Sequence, residues 1–167
     1  MLEEDDIVIE DIDELVSLLA RAYWIEDQFE QMTLWDTYTS IGEKYRDIVF
    51  RLAHDSEKHK IKLKKLISNI SGIDLKTITN YTKARQNVGL NRSLLSEEIL
   101  GEIKKHDILA LELYTRIYKH TAKELLDEIW EGERHDEFYE ILAHLMRDEA
   151  KHIKIVEPYV GKLQRIR

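Results

Sequence analysis

The sequence predicts an all-α protein: four long helices in a bundle, with a long crossover between the second and the third. Three observations predict it. Apolar residues recur at helical spacing through four long stretches. A single proline, Pro158, and six glycines leave those stretches free of helix breakers. No window alternates with period two for long enough to make a sheet. A chain of 167 residues can bury a full core without staples, so residues 1–167 are expected to form one domain.

The first helical pattern starts near Asp11, where Glu14 three residues on makes a capping-box-like start, and ends around Gly42. Leu15, Leu18, Ala22, Ile25, Phe29 and Met32 form its seam. The second runs from about Glu43 to Ile70, with Gly72 as its stop signal. Its seam reads Val49, Leu52, Ser56, His59, Leu63, Leu66, Ile70. From Ser71 to Arg92 the pattern breaks; Gly72, Gly89 and several Asn punctuate a stretch with scattered apolar residues, and Leu75 to Lys83 is expected to form a short helix within it. A loop this long is uncommon inside a compact domain, but a bundle whose second and third helices run parallel needs one. The third helix starts near Ser93 or Ser96, carries Ile99, Ile103, His106, Ala110, Leu113 and Ile117 on one face, and breaks near Thr121. A short amphipathic piece, Ala122 to Trp130, precedes Gly132. The fourth runs from about Arg134 to Val156 along Phe138, Leu142, Leu145, Glu149, His152 and Val156, and Pro158 is expected to bar further regular helix.

Composition excludes several functions. There is no cysteine, so disulfides, Cys-ligated zinc and iron–sulfur centres are ruled out. A formal charge of −8 argues against nucleic acid, whose phosphates need a basic face. No apolar run approaches the roughly 20 residues that span a bilayer. The acidic start (Glu3, Glu4, Asp5, Asp6) is the opposite of a signal peptide's basic one, and a cytoplasmic protein is expected. No phosphate-binding glycine loop is present.

The residues that carry chemistry sit where the seams are interrupted. Asp55-Ser56-Glu57-Lys58-His59 and Asp148-Glu149-Ala150-Lys151-His152 are diverged copies of one motif, each ending Asp-x-x-Lys-His. Glu149 and His152 replace apolar residues at two successive seam positions of the fourth helix, and Ser56 and His59 do so in the second. Both pairs are therefore expected to face the interior. Buried Glu is rare unless paired or bound to metal. Imidazole with carboxylate suits Fe, Mn or Zn, and paired Glu-x-x-His helices are how a four-helix bundle builds a two-metal site. The other two helices should each add a carboxylate: Glu26 beside Ala22, Ile25 and Phe29, and Asp107 before Ala110 and Tyr114. Glu30, one turn after Glu26, and His106, on the third seam, are second choices. The plainer reading is an interior of His and Glu satisfied by hydrogen bonds without metal.

On these residues the chain resembles the ferritin-like superfamily, most closely its rubrerythrin-like branch. That branch repeats a helix with Glu-x-x-Ala-x-x-x-Tyr and a second with Glu-x-x-His. Asp107-Ile108-Leu109-Ala110-Leu111-Glu112-Leu113-Tyr114 matches with Asp in place of the first Glu, and Glu149 to His152 matches fully. In the first half Phe29 replaces the small residue, and Ser56 replaces the second motif Glu. The stretch from Thr121 to Arg134 reads as an insertion. The resemblance implies a bundle holding iron that reacts with dioxygen or peroxide, Glu26 and Asp107 being terminal carboxylates, Glu149 a bridge, and His59 and His152 one ligand each. The family's four carboxylates become three here. Three readings of that gap stay open: Asp55 swings in, a hydroxide or exogenous anion bridges, or the site takes one metal or none.

The leading expectation is thus a di-iron or mono-metal oxidase or peroxidase. Having no cysteine for a rubredoxin-type centre, it would draw electrons from a separate redox partner, and a homodimer is expected. The alternative is a metal-free bundle acting as a structural or protein-binding module, with Trp24, Trp35, Tyr38 and Trp130 as candidate contact residues. An iron-storage cage is disfavoured by Ser56.

Overall fold

The computed structural model describes residues 7–31, 41–84 and 96–164, whose regular elements are all helices, with no strand among them. The helices are α1 (Ile12–Gln31), α2 (Arg46–Ser68), α3 (Leu75–Ala84), α4 (Ser96–His120), α5 (Lys123–Ile129) and α6 (Asp136–Gln164), with a 3-10 turn at Glu43–Tyr45 leading into α2. Among the described residues no helix is long and apolar enough to cross a membrane. Trp35 and Tyr38 lie outside the described residues.

Local chemistry accounts for the helix ends. Asp11 starts α1, its carboxylate accepting the Asp13 N–H at 2.8 Å. Glu14 does not complete a capping box as expected; it reaches across to Arg116 on α4 at 3.1 Å. Gly72 sits at φ +82° just beyond α2, a backbone region that costs glycine nothing. Glu97 and Glu98 in the first turn of α4, and Lys119 and His120 in its last, complement the helix dipole. At its end Thr121 Oγ1 donates back to the Ile117 carbonyl, and Ile9 N–H takes the His120 carbonyl at 2.7 Å. The N-terminal segment thereby satisfies a helix end that would otherwise be orphaned. The ends of α2 and α5 are tied similarly, Ser71 N–H to the Ile129 carbonyl and Glu131 N–H to that of Asn69, both at 2.7 Å.

The expectation for the last helix is corrected: α6 continues through Pro158 to Gln164. An interior proline costs about 3 kcal/mol by deleting one backbone hydrogen bond and crowding the preceding turn. Packing offsets it. Tyr159 sits edge-on to Tyr45, ring centres 5.4 Å apart, and Val160 is buried.

α6 packs most closely on α4, α1 on α2 and α4, and α2 on α6; α3 lies against α1. Two apolar clusters form the core. One takes Leu15 to Ile25 of α1, Leu63 to Ile67 of α2, Ala110 to Ile117 of α4 and Phe138 to Leu145 of α6, with α3 and α5 added. The other takes Phe29, Val49, Leu52, Ile99, Leu100, Ile103, Val156 and Val160. Between the two, each long helix buries polar residues, among them Glu26, Ser56 with His59, Asp107, and Glu149 with His152. The molecule holds a polar layer between two dry ones.

Candidate metal centre

Each member of that layer is delivered by helical periodicity. Glu26 follows the buried Ile25 and lies one turn before Phe29; Asp107 stands one turn from Ile103 and from Ala110. His59 is four residues before Leu63, and Glu149 four after Leu145. All five expected ligands are at most 4% exposed.

The layer is compact. Nδ1 of His59 lies 2.8 Å from Glu149 Oε1 and 3.2 Å from Glu26 Oε1. Nδ1 of His152 lies 3.6 Å from Glu149 Oε2 and 4.0 Å from Asp107 Oδ1. The two imidazoles stack with ring centres 5.5 Å apart. Two overlapping groups could hold a metal ion, Glu26–His59–Glu149 and Asp107–Glu149–His152, with ligand atoms within 4.8 Å of one another in each. Glu149 belongs to both. Buried among these, Asp107 Oδ2 has no hydrogen-bond partner. A buried carboxylate oxygen left bare costs about 1–3 kcal/mol or more, and a cation at this point would remove that cost. Imidazole and carboxylate donors gathered in this way could hold a metal ion.

The outward nitrogens of the histidines are held by a crossed pair of contacts. His59 Nε2, on α2, meets Asp148 Oδ2 of α6 at 3.1 Å. His152 Nε2, on α6, meets Asp55 Oδ2 of α2 at 3.0 Å. Each copy of the Asp-x-x-x-His motif thus orients the other copy's imidazole, aiming Nδ1 into the layer. Carboxylate partners of this kind fix ring orientation and raise the basicity of a ligand histidine. Tyr114 does the same for Glu26, its hydroxyl donating to Oε1 at 2.6 Å.

Without metal the charges lean on one another. Burial pulls His59 down, but hydrogen bonds to Glu149 and Glu26 and their charges outweigh it and carry the imidazole to about 11. His152 is also raised, Glu149 and Asp55 outweighing burial. Burial pushes Glu149 up, and its bonds to the two histidines pull it below the usual carboxylate range. Asp107 moves the other way. Burial, then the Glu149 and Glu26 charges, hold it well above that range. Glu26 is likewise raised by burial and Glu149.

Of the second choices, Asp55 is occupied with His152 on the far side of the ring, 3.0 Å from Nε2. His106 lies beside Phe29 with ring centres 6.2 Å apart, is lowered by burial, and belongs to neither metal-competent group. The side chain of Glu30 lies outside the described residues. Ser56 is buried in the layer, where its hydroxyl brings no charge. Among the candidate contact aromatics, Trp130 is buried against Phe138 and donates from Nε1 to the Arg134 carbonyl at 2.9 Å, and Trp24 packs half-buried on the first cluster. Asp148 and Tyr114 stand outside the expected ligand set yet hold two of its members, and both lie in motifs visible in the sequence, an Asp four residues before His152 and a Tyr seven after Asp107.

Comparison with family models, curated proteins and solved structures finds no match to this chain.

Proposed function

We propose that this chain is a ferritin-like four-helix bundle that binds one or two transition-metal ions, iron foremost, and performs oxidase or peroxidase chemistry. The bundle would consist of α1, α2, α4 and α6. Its crossover would lie between α2 and α4, a reading supported by their order: both helices pass from the second apolar cluster to the first. Glu26 and His59 would serve one metal position, Asp107 and His152 the other, and Glu149 both. When bound, iron would supply one-electron redox chemistry toward dioxygen or peroxide.

The chain's own residues do the rest. Asp148 and Asp55 hold the imidazoles, their carboxylates accepting from Nε2. Tyr114 holds Glu26, and the two apolar clusters keep bulk water from the layer. Ser56 leaves three carboxylates where the ferritin-like pattern has four, so the second ion is expected to bind more weakly than the first. With no cysteine in the chain, electrons would come from a separate redox partner.

The observation that carries this reading is the convergence of five buried ligand side chains from four helices, one of them with an unpartnered oxygen. Anaerobic loading with Fe(II), desalting and exposure to oxygen test it. Bound iron with a near-ultraviolet oxo–iron band is expected; iron no higher than in a denatured control sinks it. A second reading is favoured by the histidine contacts, since both rings find carboxylates on both sides without any metal. Under it the layer is a structural ion-pair network in a binding or scaffold module, and the same experiment returns no iron.

A further inference from the structure

The lysines of the duplicated motif take no part in the metal layer. Lys58 and Lys151 stand immediately before His59 and His152, so helical periodicity turns them about 100° away from the layer-facing histidines. Both reach one cleft between α2 and α6, of about 320 Å³. Arg51 and Lys62 join them from α2, and His144 from α6. Asp55, Asp148 and the outer edge of His152 line the same cleft, the two carboxylates holding the histidines of the layer.

On a chain of net charge −8 this is a local reversal of sign: four permanent cations around two carboxylates. Those carboxylates are already engaged. Asp55 is bonded to His152 and lies 3.8 Å from Lys58; Asp148 is bonded to His59 and lies 3.5 Å from Lys62. The surplus therefore faces the opening, with Arg51 and Lys151 exposed. His144 Nδ1 accepts from Arg147 at 3.1 Å, which assigns the proton to Nε2 and makes that nitrogen a donor. Arginine, lysine and imidazole N–H around one concavity are the donor set of a phosphate site.

We propose that the α2–α6 cleft binds a phosphate group, directly behind the Asp–His pairs of the buried layer. This goes beyond the metal reading and does not depend on it. It gives the two halves of the motif separate tasks: His points inward to the layer, Lys outward to the anion, and Asp stands between.

The test is calorimetric titration of the metal-free full chain with inorganic phosphate and with glycerol phosphate, at low ionic strength. Saturable binding of about one equivalent is expected. The double variant Lys58→Gln/Lys151→Gln removes two exposed cations without touching the core and should weaken binding at least about tenfold. Lys58→Arg/Lys151→Arg should retain it. A control pair on α3 and α5, Lys76→Gln/Lys123→Gln, should leave it unchanged. Tighter binding of the ester identifies an organic phosphate, and equal binding the free ion; either supports the site. Absence of saturation below about 10 mM, or equal weakening in the control pair, overturns it.

Discussion

Replacing Asp107 with Asn pulls stability and metal binding in opposite directions, which makes it the most discriminating single change. In the metal-free chain Asp107 is 4% exposed, its Oδ2 is bare, and the nearest cation to Oδ1 is His152 Nδ1 at 4.0 Å. Burial and the neighbouring Glu149 and Glu26 raise it well above its ordinary value of 3.8. The sign follows. A carboxyl raised in the folded state costs nothing below its ordinary value, and its cost grows as pH rises from there to the folded value. Near pH 7 the parent carries that cost and the variant does not. Removing a poorly compensated buried charge stabilises by about 1–4 kcal/mol, and the lower half applies because Asn keeps a polar atom inside. A chain of this size shifts by about 2–4 °C per kcal/mol, so the metal-free variant should melt about 2–8 °C higher. The gain should vanish as pH falls toward 4, where the parent is protonated too. Metal affinity should drop at least about 100-fold, more than for the loss of a supporting residue. Scanning calorimetry with a chelator-competition titration reads both. A variant that binds metal like the parent, or that melts lower without metal, refutes the assignment of Asp107 as a ligand held at a cost.

Three further outcomes are expected. Ser56→Glu restores a carboxylate at a position only 3% exposed; metal analysis should show a higher ion-to-chain ratio, while the metal-free variant loses about 3 kcal/mol in denaturant melts. His59, carried to about 11 from an ordinary 6.5, stabilises the metal-free fold fully below 6.5 and loses that contribution as pH rises through about 11. Metal must displace that proton, so affinity measured against a chelator should climb between about pH 6 and about 8, and a flat profile would exclude His59 as a ligand. Gly132→Ala sets a Cβ 2.6 Å from the Trp130 ring, which should cost about 1–3 kcal/mol by thermal melting and leave metal binding untouched.

Much of the fold could be read locally because helix starts, stops and seams are local. The short helix expected at Leu75 to Lys83 is found at Leu75–Ala84, and the break expected near Thr121 follows His120. Three candidate ligands were legible for a related reason: His59, Glu149 and His152 interrupt apolar seams and face inward with them, while Glu26 and Asp107 beside their seams are buried too and His106, on the third seam, is only half-buried. What local rules missed was decided across helices. Glu14 exchanged a capping box for Arg116, and Pro158 stayed helical because Tyr159 and Val160 had partners to pack on. Trp130, off every long seam, was buried by Phe138. The bonds from Asp55 to His152 and from Asp148 to His59 depend on how α2 meets α6, which no spacing within either helix reveals.

That crossing makes the two motif copies a check on alignment. Sliding α2 by one turn along α6 would break both Asp–His bonds together and leave two imidazoles and two carboxylates unmatched beside the core. Partial mispairing gains neither bond, so the layer rewards one register and penalises its neighbours. Two apolar clusters alone tolerate such slippage far better, because greasy surfaces repack at modest cost. The polar layer thus acts as the molecule's ruler, and drift in one copy of the motif is constrained by what the other copy still requires.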